Sequence, residues 1–380
     1  MRVALVCTEK LPVPPIRGGA IQTYIAGILP YLARHHEVTV FGISDPALPL
    51  YEQGPGYTMV RFPAESYPQR VAAALASGQY DLLHLFNRPT WVEPFHAAAP
   101  RARILLSLHN EMFTSDKVPR ETAERCLGLC EHVVTVSRFI AEGVASQYPF
   151  ARPKLKAVYS GVDPDAFIPV WDARAAKIRK AVARRWGFDP RDPVVLCVSR
   201  LSPKKGQHVL IDAFRHIREK FPSARLLLVG SRWYGSTEWN DYGLSLQERA
   251  RPLGDAVVFA GFLAPSEIPP LYTAADLFVC ASQWQEPLAR VHYEAMAAGL
   301  PLVTTRRGGN PEVVEGLETG LVVDDAANPK AMSKAILHLL KNRRLAERMG
   351  RRGRELAETR FHWRRVAGDL LQLYGGERLA

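Results

Sequence analysis

The 380-residue chain has no run of 18 uncharged apolar residues, so a membrane-spanning helix is not expected. It is poor in cysteine. The five, at positions 7, 126, 130, 197 and 280, make no disulfide framework, and a reducing cytoplasm is the expected compartment. Cys126 and Cys130 have the spacing of one helix face, but no companion Cys or His completes a zinc set. The first apolar run, residues 3–7, is too short for a secretory leader and is ended by Glu9 and Lys10; it reads as a buried strand. Internal repeats and low-complexity tracts are lacking too, which argues against solenoids and disordered tails. What is present is ordinary for a globular protein, 47% hydrophobic and 23% charged, at a length that suggests two or three domains.

The formal net charge of +11 is unevenly placed. Residues 1–168 carry 16 Lys and Arg against 15 Asp and Glu, a net of +1, so the remainder holds 33 against 23, a net of +10. Between Lys334 and Arg365 eleven basic residues face three acidic ones. Arg343, Arg344, Arg348, Arg351, Arg352 and Arg354 recur at helical spacing with Leu345, Met349 and Leu356 between them. A solvated basic helix face explains the run, and a peripheral contact with an anionic membrane is a second use for it. No nucleic-acid motif accompanies it, and no nucleic-acid partner is expected.

Short apolar, β-branched runs alternate with helical stretches. They fall at 3–7, 38–43, 82–86, 104–108, 133–136 and 155–159, and again at 194–198, 226–229, 257–259, 277–280, 302–304 and 321–323. Continuous apolar strands between helices indicate parallel sheets covered on both faces. The fold class is therefore α/β, with two doubly wound Rossmann-like domains. Ile21, Tyr24, Ile25, Ile28, Leu29 and Leu32 mark one face of the first helix, with Pro30 inside it. Ligands of such sheets bind beyond the carboxyl ends of the strands, so two facing domains place a cleft between them.

Glu286 and Glu294 stand eight positions apart at an apparent loop-to-helix junction. Pro287 suits a first helical position. On that reading Glu294 lies two turns inside the helix, about 12 Å along its axis. The helix start between them offers N–H groups to an anion, with a carboxylate on each side for hydroxyls. A sugar, a diphosphate and a ribose have that order. Two solvated acids on an amphipathic helix is the plainer alternative.

The segment resembles the E-x7-E motif of retaining glycosyltransferases of the GT-B fold, especially glycosyltransferase family 4 (group 1). Gly18-Gly19-Ala20, Ser199-Arg200-Leu201 with Lys205-Gly206, Phe259-Ala260-Gly261-Phe262, Tyr272-Thr273-Ala274-Ala275-Asp276 and Gly308-Gly309-Asn310-Pro311-Glu312 resemble other family motifs in order and spacing. Residues 18–24 and 290–299 look most like a spore-coat-associated subgroup. The resemblance implies an N-terminal, acceptor-side domain at 1–168, a donor-side domain at 169–355, and a C-terminal helix at 356–380 that crosses back to the first domain. It implies a donor site of Gly18, Gly19, Arg200, Lys205, Phe262, Glu286, Leu288, Ala289, Arg290 and Glu294. Arg200 and Lys205 would stabilise the diphosphate, with Lys204 a competing cation. Glu286 would hold the donor sugar, Glu294 the ribose, and His109 would lie near the reacting sugar.

The implied activity is metal-independent, retaining transfer from a UDP- or GDP-sugar to an unknown glycan, lipid or protein acceptor. Envelope, polysaccharide or spore-coat glycoconjugate synthesis would be the setting, with the protein cytoplasmic or peripheral to a membrane or spore coat. No cofactor is expected. Ala289-Arg290 depart from the family's Gly-Leu; the Ala289 methyl crowds the backbone N–H, and Arg290 either adds a cation or points to solvent. Asp163-Pro164-Asp165 reads as a turn rather than a metal motif. Trp233, Tyr234, Trp239 and Tyr242 lie in a polar stretch where they could stack on a base or sugar, or pack locally. A catalytically weak coat or assembly protein, and a sugar-nucleotide epimerase or phosphorylase on the same scaffold, are the rival functions.

Overall fold

The structure is a computed structural model that describes residues 1–231 and 239–375. It divides into two compact units, residues 1–161 with the segment from Trp363 onward, and Val162–His362. These divisions differ from 168/169 and 355/356, for local reasons. Val162 bridges to His362 within the second unit. Leu356 and Ala357 are buried within a helix that runs from Arg343 to Thr359, so the chain does not part there.

The first unit is built on β1 (Arg2–Val6), β2 (Glu37–Ile43), β3 (Tyr51–Gly54), β4 (Tyr57–Phe62), β5 (Leu82–Phe86), β6 (Arg103–Leu108), β7 (His132–Thr135) and β8 (Leu155–Ala157). They form one sheet in the order β3-β4-β2-β1-β5-β6-β7-β8. All pairs are parallel except β3–β4. That hairpin lies at the edge, and its outer strand β3, Tyr51-Glu52-Gln53-Gly54, is polar and partly exposed, so it lacks the continuous apolar signature of the central strands. Helices α1 (Ala20–Leu32), α2 (Tyr67–Ser77), α3 (Val92–Ala98), α4 (Arg120–Leu129) and α5 (Arg138–Gln147) cover the sheet. α1 buries Tyr24, Ile25, Ile28, Leu29 and Leu32, the face given by its periodicity.

The second unit contains α6 (Ala175–Trp186), β9 (Val194–Val198), α7 (Gln207–Arg218), β10 (Arg225–Val229), α8 (Asp241–Ala250), β11 (Val257–Gly261), α9 (Pro269–Thr273) and β12 (Leu277–Cys280). It continues with α10 (Val291–Ala297), β13 (Leu302–Thr305), β14 (Gly320–Val323), α11 (Pro329–Lys341) and α12 (Arg343–Thr359). Its sheet is parallel throughout, ordered β11-β10-β9-β12-β13-β14. A last helix, α13 (Trp363–Leu373), returns to the first unit. There Trp363, Val366, Leu370 and Tyr374 join the α1 side of the core. Tyr374 Oη and Ser107 Oγ each lie 2.6 Å from a ring nitrogen of His84, which is fully buried. Burial pushes the His84 imidazole down to about 3, so it is a neutral bridge.

Candidate active site

In each sheet the strand order reverses beside the first strand of its unit, at β1/β5 and at β9/β12. The loops leaving those strands at their carboxyl ends are where such sheets hold ligands. In the second unit these loops bring together Lys205, after β9, and Glu286, after β12. Lys205 Nζ donates to Glu286 Oε2 at 2.6 Å. Trp284 Nε1–H donates to the same oxygen at 2.7 Å, and the Ser282 hydroxyl donates to it at 2.9 Å. The Glu286 side chain is only 9% exposed. Burial would raise its carboxyl, but Lys205 and the hydrogen bonds from Lys205, Trp284 and Ser282 outweigh this and hold it below the ordinary carboxylate range. At neutral pH Glu286 is therefore a fixed anion, an acceptor for hydroxyl donors rather than a proton source.

The surrounding loops are pinned by backbone contacts. Gly309 N–H donates to the Glu286 carbonyl at 2.8 Å. Gly308, at φ 55°, lies so close that a Cβ there would be 2.0 Å from that carbonyl oxygen. Gln283 N–H donates to the Lys204 carbonyl at 2.8 Å, joining the two switch-point loops. Lys204 Nζ sits 5.1 Å from the Trp284 ring centroid and Lys205 Nζ 5.7 Å.

Several sequence expectations need correction here. The helix after Glu286 begins at Val291 and has seven residues. Pro287 is therefore in the loop, Glu294 lies in the first turn, and the axial spacing inferred for the two carboxylates does not apply. The Ala289 N–H, expected to face an anion, donates to buried Asn310 Oδ1 at 3.1 Å. Arg290 does not point to solvent: it is 15% exposed and its Nη2 lies 3.7 Å from Glu294 Oε1. Glu294 Oε2 accepts from the buried Tyr272 hydroxyl at 2.9 Å. Leu288 is buried, Phe262 is half-buried just after β11, and Arg200 is an exposed residue of the β9 loop. The Arg200 carbonyl accepts from Gln207 Nε2 at 2.8 Å.

In the first unit Gly18 and Gly19 lead into α1 with φ of 87° and 107°. Arg17 forks onto Asp45 at 2.9 and 3.2 Å. His109 follows β6; its N–H donates to Asn87 Oδ1 at 2.8 Å, and its ring stands edge-on to Tyr24 at 4.9 Å. The switch point carries a pair absent from the sequence reading. Arg88, after β5, donates to both oxygens of Glu9, after β1, at 2.7 and 2.6 Å.

Other candidates resolve locally. Asp163 Oδ1 accepts from the Asp165 N–H at 3.0 Å, closing a turn. Among the described residues no three His, Cys, Asp or Glu side chains gather as a metal set. Tyr242 Oη lies 2.9 Å from His208 Nδ1, and Trp239 stands edge-on to Phe259 at 5.5 Å, so these two aromatics pack locally. Trp233 and Tyr234 lie outside the described residues.

The sequence model described as glycosyl transferases group 1 matches residues 179–356, and that of glycosyltransferase family 4 matches residues 18–166. Spore coat protein SA of Bacillus subtilis is 44% identical over 378 residues, covering 100% of both chains. The chain belongs to the group 1, family 4 glycosyltransferases. A GDP-mannose-dependent alpha-(1-6)-phosphatidylinositol monomannoside mannosyltransferase of Mycolicibacterium smegmatis is 34% identical over 397 residues, covering 97% of each chain. In fold the chain is like HepE from Anabaena in complex with UDP-glucose, with a TM-score of 0.75 at 22% identity over 99% of each chain. The fold is GT-B. In this family member three residues outside the expected donor set are bonded to the Glu286 loop or its carboxylate, Ser282, Trp284 and Asn310, of which Asn310 alone was marked in the sequence, within the Gly308–Glu312 motif. Trp284 left one signal, an indole two residues before a candidate carboxylate; Ser282 left none distinguishable from loop polarity.

Proposed function

We propose that the chain transfers a sugar from a nucleoside diphosphate sugar to an acceptor hydroxyl, retaining the anomeric configuration and using no metal. The observation that carries this reading is the Lys205–Glu286 pair at the switch point of the second sheet, in a chain that aligns end to end with glycosyltransferases. Glu286 accepts from donor-sugar hydroxyls. Arg200 and Lys205 face the diphosphate; Lys205 has three N–H donors and only one is engaged by Glu286. Glu294 holds the ribose, and Phe262, Leu288, Ala289 and Arg290 border the donor. The leaving diphosphate oxygen takes the acceptor proton as the hydroxyl attacks on the same face. Two cations at the leaving group stand where other transferases use a metal.

The donor is a UDP- or GDP-sugar, since a fold neighbour was solved with UDP-glucose and a relative is named for GDP-mannose. The acceptor is a glycan, lipid or protein of the envelope or spore coat, reached from the cytoplasmic side, with peripheral contact to an anionic surface. Thermal shift against a panel of nucleoside diphosphate sugars tests the donor class, because a ligand that binds only the folded state raises apparent stability. Arg200→Ala and Lys205→Ala should each weaken nucleoside diphosphate binding by about ten- to hundred-fold, the loss of one charge-assisted hydrogen bond. Unchanged affinity in both would remove the assignment, and a chelator-abolished rate restored by manganese would refute metal independence.

A second reading, a catalytically weak coat or assembly protein, is favoured by one observation: a relative at 44% identity carries a coat-protein name. Turnover of any panel donor to released diphosphate decides against it.

A further inference from the structure

We infer that Trp284 is a positioning residue of the donor site: its indole N–H and its ring face together aim Glu286 and display Lys204. This rests on the reading of Glu286 as the donor-sugar acceptor. The three donors that reach Glu286, from Lys205, Trp284 and Ser282, all converge on Oε2. Among the described residues none reaches Oε1, which leaves that oxygen as a directed acceptor. A carboxylate turns about one bond, so fixing one oxygen from three directions fixes the other. Ser282 and Lys205 hold Glu286 from the loop floor, and the indole closes the third side.

The same ring organises the two lysines. Lys205 is neutralised by Glu286. Lys204 meets no carboxylate among the described residues and rests over the indole at 5.1 Å. Lys204 is exposed while Lys205 is half-buried. Of the two lysines, the one an incoming phosphate meets without a carboxylate partner is therefore Lys204, and the indole keeps it beside the pair. The support beneath Trp284 is rigid: Gln283 Nε2 donates to the Ala281 and Ala326 carbonyls at 2.7 and 2.8 Å. The Thr305 hydroxyl donates to the Ser282 carbonyl at 2.6 Å.

The test uses the full chain with Trp284→Phe, which keeps a flat ring but removes the N–H, Trp284→Leu, which removes both, and Glu286→Gln. UDP, GDP, UDP-glucose and GDP-mannose are the probes for binding and for donor hydrolysis. Trp284→Phe should bind bare UDP or GDP within about two-fold of wild type. Its kcat on the accepted sugar donor should fall about ten-fold, and the acidic limb of its pH–rate profile should move up. Trp284→Leu should in addition weaken the bare nucleotide. The indole N–H resonance that vanishes in Trp284→Phe should shift in Glu286→Gln and on acid titration of wild type, a readout that needs no turnover. A wild-type rate and acidic limb in Trp284→Phe, or an indole resonance indifferent to Glu286→Gln, overturns the inference. Wild-type donor hydrolysis in Glu286→Gln, with the indole shift still present, would instead overturn the underlying reading of Glu286 and leave the clamp standing.

Discussion

Both sheets place a cation–carboxylate pair at the same topological position, yet the two pairs are built differently. In the first unit Arg88 forks onto Glu9 and occupies both carboxylate oxygens. In the second, Lys205, Trp284 and Ser282 crowd onto one oxygen of Glu286. The first pair is a closed unit that stiffens two loops. The second holds a buried charge and keeps an acceptor in reserve. The same doubly wound topology thus yields a strap in one sheet and a binding group in the other, and the difference lies in how the donors are shared between two oxygens.

The sharpest way to break the comparison is to remove each cation. Lys205→Met leaves Glu286 buried without its counter-charge, and breaking such a pair costs about 3–5 kcal/mol. Arg88→Met leaves Glu9 with water within reach, since its side chain is 23% exposed, so about 1–2 kcal/mol is expected. Urea unfolding at pH 7 measures both. The sign with pH is fixed by the lowered Glu286 carboxyl. Its contribution is complete above the ordinary carboxylate range and is lost as pH falls through the lower folded value, so the Lys205→Met deficit should shrink in acid. Equal losses at the two sites would erase the distinction drawn here.

Each unit also buries one neutral histidine. His84 bridges Ser107 and Tyr374 in the first; in the second, His292 Nδ1 lies 2.8 Å from the Ala289 carbonyl and Nε2 2.9 Å from Thr304 Oγ1. A carbonyl only accepts, so His292 carries its proton on Nδ1 and receives the Thr304 hydroxyl on Nε2. Burial pushes His84 down to about 3 and His292 to about 4. As pH falls below about 6.5 the unfolded chain binds these protons and the folded one does not, so stability drops. From pH 6 to pH 4 each histidine should remove about 2 kcal/mol. His84→Leu and His292→Leu should each flatten the acid slope of stability, whatever they do to its level. A slope unchanged in both would show that the histidines are protonated in the folded state.

Two glycines sharpen the comparison further. A Cβ on Gly308 would meet the Glu286 backbone carbonyl, whereas one on Gly19 would meet the side-chain Oε1 of Gln22 at 2.2 Å. Backbone cannot step aside and a side chain can, so Gly308→Ala should be the worse of the two. Both positions have positive φ, which alone makes alanine unfavourable by about 1 kcal/mol. Gly308→Ala should also lower donor affinity by displacing Glu286, with Gly19→Ala nearer wild type in thermal shift with UDP-glucose and GDP-mannose. The reverse order would mean that the Gly308 loop yields more easily than the Gln22 side chain.

What was legible in the sequence follows from how each feature is encoded. The central strands are buried on both faces, so β1, β5, β6, β9 and β12 appear as nearly continuous apolar runs, broken only by polar residues such as His84 and Ser107. The β3–β4 hairpin does not, because an edge strand such as Tyr51–Gly54 has solvent on one side. Glu286 and Lys205 could be named individually, but their pairing depends on two loops 81 residues apart in sequence meeting at a switch point. Pro287 misled the reading of α10, since a proline that suits a first helical turn suits an extended loop equally well. The roles of Trp284 and Asn310 arise from tertiary contacts alone. Nothing local in the chain distinguishes an indole that holds a carboxylate from one that packs on a neighbour.

The smallest expected effect concerns charge. The excess of basic residues in the second half of the chain centres on α11 to α13, and the structure compensates much of it. Arg351 pairs with Glu347 and rests on Trp171, and Arg352 pairs with Glu355. Arg354 is 14% exposed and donates to the carbonyls of Pro164, Phe167 and Ala297, which makes it a tie within the second unit rather than a surface charge. Three arginines of α12, at 343, 344 and 348, remain for an anionic surface. Exposed charges are screened over about 8 Å at physiological salt, and each basic residue near such a surface contributes about 1 kcal/mol. Co-sedimentation with phosphatidylserine-containing and neutral vesicles should therefore show binding to the anionic ones at low salt that fades as salt approaches 0.15 M (roughly the physiological level). Replacing Arg343, Arg344 and Arg348 together by Gln should abolish it, whereas the same change at Arg354 should instead lower stability. Equal sedimentation with both vesicle types, or none, would make this run an ordinary solvated helix face.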